Sequence, residues 1–263
     1  AHAEPVMMTF EDSDDITEIM NSVSSGKHIY SVELDDVEHT IWKANNTTEF
    51  VSKFSNIPNL YIADGHHRCA SASRTAKKMA SQNTNHTGKE AYNFFPAVLF
   101  PMAQMEILAY NRIIFSLPDN FLDTLKNNFS LTSIDYTEPK QKSEICIFIN
   151  ENWYSLTLPE TQKLDAASKL DVAKLQEFIL EPLLNISNQR TDKNISFVGG
   201  IRGTKELEIL VNSGTAALAI SMFPTSIQEL KTVSDNNLLM PPKSTWFEPK
   251  LRSGFLVHSF DNS

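Results

Sequence analysis

Cysteine is nearly missing: Cys69 and Cys146 are the only two in 263 residues. That is too few for a disulfide framework and fits a reducing cytoplasm. The seven histidines show no metal-ligand spacing. Adjacent His66 and His67 would point apart on a helix, unlike a pair at i, i+4, so no metal site, zinc included, is expected. No apolar run approaches the roughly 18–20 residues of a membrane span, and no membrane partner is expected. The opening Ala-His-Ala-Glu-Pro-Val has neither a basic leader nor a signal-peptide apolar segment. It also lacks a Met, so a fragment or processed form is expected. Positive charge is not in excess either. A formal net charge of −9 argues against broad nucleic-acid binding. Repeats, heptads and low-complexity blocks are absent, and the Asn-x-Ser/Thr triplets at Asn46, Asn85 and Asn194 follow from an Asn- and Ser-rich composition.

What remains is the composition of a globular protein, 41% hydrophobic and 21% charged, with enough chain for one large or two modest domains. Pro5 to Phe10 reads as a strand, followed by an acidic-started helix from Asp12 to about Val23. Ile29–Leu34 and Val37–Trp42 are β-rich and split by Asp35-Asp36, a hairpin signal. A short helix at Glu49–Phe54 precedes an apolar strand at Leu60–Ala63. Phe94–Phe100 is a continuous apolar run of the kind buried on both faces, with Ile107–Phe115 as its expected partner. Pro118 opens a second region: a helix at Leu122–Phe129, a hairpin from Ile145–Ile149 and Trp153–Leu158, and an amphipathic helix at Leu170–Leu184. Ile195–Val198, Thr204–Val211, Ala216–Met222 and Ser226–Asp235 then alternate strand and helix, the signature of α/β layers. The expected division is 1–117 and 118–263, and the expected class is α/β, of mixed α+β character.

The most informative stretch joins the Leu60 strand to the helix that carries Cys69, Ala72, Ala76 and Met79. Asp64-Gly65-His66-His67-Arg68 is a strand-to-helix turn, which aims free backbone N–H groups and the positive helix end at one point. His67 and Arg68 add donors suited to an anion, most naturally a phosphate. A capped helix start, with Asp64 as N-cap and two surface histidines, is the plainer alternative. Three further constellations stand out. Gly199-Gly200-Ile201-Arg202-Gly203 is again set between strand and helix. It offers close backbone approach and Arg202 for a carboxylate or phosphate, or else a tight turn with a surface Arg. It is not a Walker A loop. Met240 through Gly254 brings Lys243, Ser244, Thr245, Lys250 and Arg252 around Trp246 and Phe247. It reads as a donor-rich site segment, as a connector anchored in the core, or as a docking segment with an exposed Trp246. In Tyr110-Asn111-Arg112, a strand arginine needs an anionic partner if buried, or faces water from an edge strand.

Together these runs resemble one bacterial family, the domain of unknown function numbered 1015. Tyr61 through Arg68, Tyr110-Asn111-Arg112, Phe197 through Gly203 and Met240 through Gly254 carry the resemblance, with Leu170-Asp171-Val172 and Glu181-Pro182-Leu183-Leu184 fitting as well. It covers nearly the whole chain and corresponds to the C-terminal two-thirds of family members. The resemblance implies that the family's N-terminal portion, with a further His-Glu-containing motif, is missing from this sequence. Through the Asp-Gly-His-His-Arg turn the family is similar to ParB, sulfiredoxin and the free serine kinases, which bind nucleotide phosphates at the equivalent turn. The resemblance implies a ParB/sulfiredoxin-like phosphate-binding region followed by a C-terminal α/β region. Sulfiredoxin chemistry needs a Cys where this chain has His66, and ParB-like DNA binding needs a helix-turn-helix and a basic balance. Free-serine-kinase-like phosphoryl transfer is therefore the implied activity, with a small anionic molecule as ligand and ATP or ADP with Mg²⁺ as cofactor. It places Gly65, His66, His67 and Arg68 on the phosphates, with Arg112, Arg202, Lys243, Ser244 and Thr245 as further phosphate or nucleotide contacts. Asp64 and His67 are the implied catalytic pair, Asp64 holding a Mg²⁺-bound water or orienting the attacking hydroxyl. The alternative is a non-catalytic nucleotide- or phosphometabolite-binding regulatory module.

Overall fold

A computed structural model describes residues 1–260 as a mixed α/β protein of helices and several sheets. The chain divides into two compact units, residues 1–105 with 249–263, and residues 106–248.

The first unit is organised around β1 (Val6–Phe10), the middle strand of a three-stranded sheet. After β1 come α1 (Asp14–Ser24), the hairpin of β2 (Tyr30–Leu34) and β3 (Val37–Ile41), and α2 (Thr47–Phe54). Asp35 and Asp36 both take left-handed backbone angles (φ 52° and 59°), which matches the right-handed twist of the flanking strands and makes a two-residue hairpin loop. β4 (Tyr61–Asp64) pairs antiparallel with β1, and α3 (His66–Gln82) follows it. β5 (Ala97–Pro101) pairs with β1 in parallel. Val6, Met7 and Phe10 are buried along with Ile16 of α1 and Tyr61 and Ala63 of β4.

β5 departs from the expectation of a strand covered on both faces. It lies at the sheet edge, with Ala97 exposed and Val98 to Phe100 half-buried, and its partner is β1 rather than Ile107–Phe115. Pro96 interrupts the run just before β5 and Pro101 ends the strand, and a residue with no N–H to give a ladder is held to an edge. Beyond residue 248 the chain rejoins this unit: Gly254 N donates to Ala3 O (2.8 Å), Tyr30 Oη to Phe255 O (2.7 Å), and Arg252 pairs with Asp35 (2.7 Å).

The second unit begins where the expected Ile107–Phe115 strand breaks at Ala109 into β6 (Glu106–Leu108) and β7 (Tyr110–Ile114). It continues through α4 (Phe121–Asn128), β8 (Thr132–Ser133), β9 (Glu144–Ile149) and β10 (Asn152–Thr157). The predicted Leu170–Leu184 helix is α5 (Asp171–Leu175) and α6 (Glu181–Leu184) joined by a π-helical turn over Gln176–Leu180. Then come β11 (Ile195–Gly199), α7 (Gly203–Asn212), β12 (Leu218–Met222), α8 (Ile227–Asp235) and β13 (Trp246–Glu248). Six strands form one sheet in the order β11-β7-β12-β9-β10-β8, every pairing antiparallel, and β13 pairs with β6 separately. Because β11 and β12 both run against β7, they are parallel to each other, and α7 crosses over between them as a split β-α-β unit. Side chains alternate across the strands, so Ile145, Ile147 and Ile149 face a core with α4 and α5, whereas Cys146 and Phe148 face Leu207 of α7.

Candidate functional site

The turn between β4 and α3 owes its shape to Gly65, whose φ of +103° is open to glycine at no steric cost. Gly65 is itself the N-cap of α3 and brings no side-chain cap, so Asp64 does not fill that role. The Asp64 Oδ1 instead accepts from Gly65 N (2.8 Å). The first-turn N–H groups of a 17-residue helix thus point outward without a capping side chain, with exposed His66 and His67 beside them.

Arg68 turns back rather than outward. Its Nη1 donates to Pro5 O, and its Nη2 lies 3.4 Å from both Glu4 Oε1 and Asp64 Oδ2. Lys250, brought in by the returning segment, places Nζ 3.8 Å from the same Asp64 Oδ2. Desolvation at the turn pulls the His66 imidazole below its ordinary value, against the opposing pull of Asp64. Burial likewise pushes the thiol of neighbouring Cys69 up, although Arg68 works the other way.

The remaining predicted residues belong to the second unit. Arg112 is fully buried on β7, between β11 and β12. Among the described residues it has no carboxylate partner of the kind expected of a buried arginine, and it lacks the edge position expected of an exposed one. Its Nη2 donates to Lys243 O (3.0 Å), its Nη1 to Tyr110 O, and the guanidinium carbon sits 5.6 Å from the Phe197 ring centre. Two carbonyl dipoles and an aromatic face do the work of a counter-ion. Burial pulls its pKa down to about 9, which leaves it protonated at neutral pH. Lys243 (φ +56°) is exposed and donates from Nζ to Tyr110 Oη (3.1 Å). Ser244 is buried and hydrogen-bonded to Pro241 O (2.7 Å), and Thr245, half-buried, leads into β13.

Arg202 stands apart on a short 3-10 turn, exposed and 3.5 Å from Glu206. The glycines before it serve packing. A Cβ on Gly199 would lie 2.4 Å from the Trp246 ring, and one on Gly200 would lie 2.7 Å from Ala109 O. Trp246 is accordingly no exposed docking residue: it packs on Gly199 and meets the Tyr110 ring edge-on at 5.3 Å.

The turn therefore unites Asp64, Gly65, His66, His67 and Arg68, while Arg112, Lys243, Ser244 and Thr245 form a second grouping in the other unit. Lys250 beside Asp64 and Glu4 beside Arg68 had no local signal as turn partners, because each is brought in from a distant part of the chain. Among the described residues, no three His, Cys, Asp or Glu side chains converge as a metal cage. Among the described residues, no helix is long and apolar enough to cross a membrane.

Residues 1–173 match the family described as Protein of unknown function (DUF1015), and the chain belongs to that family. The runs at 197–203 and 240–254 lie beyond the matched stretch. Among solved structures the chain is similar to a mutant of free serine kinase in complex with ADP, at 11% identity over 92% of this chain and 83% of that one, with a TM-score of 0.42. It is also similar to a conserved hypothetical protein from Pyrococcus furiosus (12% identity, 94% and 90% covered, TM-score 0.44). A third is SbnI with C-terminal truncation from Staphylococcus aureus (13% identity, 96% and 83% covered, TM-score 0.44). No curated protein matches the chain.

Proposed function

We propose that this protein binds a nucleotide phosphate at the β4–α3 turn, as a phosphotransferase resembling the free serine kinases. The observation that carries the reading is the Gly65 N-cap: α3 presents its first-turn N–H groups without a capping side chain. A helix N-terminus of this kind favours an anion through both its donors and its dipole. His66 and His67 flank it, and Arg68 and Lys250 lie within one residue's reach of Asp64. In this reading the ligand is ATP or ADP. Mg²⁺ takes most of its oxygens from phosphates and water, so Asp64 as a single protein carboxylate suits it. When bound, the ion would neutralise charge on the transferring phosphoryl group. His67 stands on the exposed side of the turn, where it would contact the phosphates or the acceptor.

One observation favours the second reading, a non-catalytic nucleotide- or phosphometabolite-binding module. Both Asp64 oxygens already have partners, Oδ1 from Gly65 N and Oδ2 from Arg68 and Lys250, which withholds them from an attacking hydroxyl.

Calorimetric titration with ATP, ADP and inorganic phosphate, with and without Mg²⁺, tests binding. His67→Ala, an exposed position, should weaken nucleotide binding by about tenfold while leaving the fold intact. An absence of binding to the unaltered chain would overturn both readings. If nucleotide binds, phosphoryl transfer to serine separates them: turnover supports the kinase, and binding without turnover supports the regulatory module.

A further inference from the structure

In the first unit, two segments far apart in the chain meet at a pair of histidines that the proposed function does not use. His2 and His258 form an isolated antiparallel bridge, each N–H donating to the other's carbonyl (2.8 Å in both). Their rings stack nearly parallel, with centres 6.3 Å apart and 4° between planes. Phe260 stands close to perpendicular to both rings, at 4.9 Å from His2 and 5.9 Å from His258. The bridge joins the first residues of the unit to the segment that returns to it after residue 248.

The two rings are not equivalent. His258 Nε2 bonds to Ala91 O (2.7 Å), and a carbonyl only accepts, so that nitrogen carries a hydrogen whether the ring is neutral or charged. The bond survives in either state. His2 Nε2, by contrast, is buried and has no hydrogen-bond partner among the described residues. A charged ring must place an N–H there, and a buried donor without an acceptor is costly.

The groups that face His2 add to that cost. They are the Ala1 amino group on its own segment and His258 on the returning one, and both oppose its protonation. The carboxylates on the contacting segments are engaged elsewhere. Glu4 pairs with Arg68, and Glu90, next to Ala91, holds Thr87, Gly88, Asn93 and His86. Burial, the largest cause, and the two like charges keep the His2 imidazole below its ordinary 6.5.

We infer that the His2–His258 pair is a pH-sensitive latch, closed while His2 is neutral and opened by its protonation. By linkage, a ring that packs best when neutral contributes fully above pH 6.5, and the contribution is lost as pH falls below that value. The two latched segments also meet through Gly254 N and Ala3 O (2.8 Å), and they carry Glu4 to Arg68 and Lys250 to Asp64. Opening therefore loosens the hold of both side chains on the β4–α3 turn. The inference stands whether or not that turn binds phosphate.

The test follows the histidine rings and backbone amide exchange of the whole chain by NMR between pH 7.5 and pH 5.5. The His2 ring should titrate with a midpoint below 6.5. Protection of the His258 and Gly254 amides, corrected for the intrinsic pH dependence of exchange, should fall over the same range. The fall should reach at most about tenfold, the limit at pH 5.5 for a group whose unperturbed value is 6.5. Amides of β9, in the other unit, should keep theirs. His2→Phe retains a ring for the stack and removes the titration, so its Gly254 protection should no longer depend on pH. A His2 midpoint at or above 6.5, pH-independent protection in the unaltered chain, or an unchanged pH response in His2→Phe would each overturn the latch. The first two readouts need no variant, so they decide the matter even if His2→Phe does not close the bridge.

Discussion

The guanidinium of Arg68 lies directly over Gly65: a Cβ added to the glycine would stand 3.1 Å from Arg68 Cζ and 3.2 Å from its Nε. The glycine thus does two things, adopting φ +103° and leaving room for the arginine to reach Pro5 O and Glu4. Gly65→Ala should therefore cost about 1–2 kcal/mol from the left-handed backbone alone. Arg68 is a flexible end that can move aside, so the fold should survive with its tie to residues 4–5 loosened. Urea unfolding checks the first effect, and faster amide exchange in β1 checks the second.

His66 offers a direct report on the turn. Its pKa is held below the ordinary 6.5 by desolvation, so the ring is neutral at pH 7 in the free protein. A phosphate settling on the helix end would favour the charged form and raise it. Proton NMR of the imidazole should give a midpoint below 6.5 for the free chain and a higher one with ADP. A free-chain midpoint at or above 6.5 contradicts the geometry described here.

The glycines around Arg202 should behave unequally. Gly199 has ordinary backbone angles (φ −66°), so alanine there is opposed by packing rather than by the backbone: the Trp246 ring at 2.4 Å must shift. Overpacking of this kind costs about 1–3 kcal/mol. Gly203 has open space around it but a φ of +68° with ψ 176°, a region essentially open to glycine alone, so Gly203→Ala carries about 1–3 kcal/mol of backbone strain. Thermal unfolding should show both variants destabilised, and only Gly199→Ala should alter tryptophan emission.

Asp171 gives a pH dependence of known sign. Desolvation raises its carboxyl above 3.8, although Ser143 N donates to Oδ2 (2.7 Å). A raised value means the folded state prefers the protonated acid. Its contribution to stability is complete below 3.8 and is lost as pH climbs through the folded-state value. Stability measured from acid toward neutral pH should fall in the wild type relative to Asp171→Asn. Parallel curves for the two proteins would show that Asp171 is not desolvated.

Local pattern carried most of the elements. The Asp35-Asp36 turn, the β4–Gly65–α3 junction and the alternation from β11 to α8 all rest on interactions within a few residues, which periodicity and turn chemistry report. The errors fall where a partner lies far away in the chain. A continuous apolar run suits a buried strand or an edge strand equally, and β5, preceded by Pro96 and ending in Pro101, became an edge because β1 took the centre. Ile107–Phe115 reads as one strand, yet Ala109 breaks it where Gly200 packs against its backbone. Arg112 was visible as unusual, but the carbonyls of Tyr110 and Lys243 that take its two terminal nitrogens, leaving Nε without a partner among the described residues, are not written in residue type.

The sequence alone determined that a glycine-hinged strand-to-helix turn would display Asp64, two histidines and Arg68, because backbone freedom and helix polarity are local properties. It also determined the mixed α/β class through the order of its periodic segments. Only the tertiary structure decided that Arg68 faces inward to Glu4 and Pro5, that Lys250 joins Asp64, and that His2 stacks on His258. Those outcomes depend on which distant segments pack together, and packing matches shape and hydrogen-bond capacity across the whole chain rather than between neighbours.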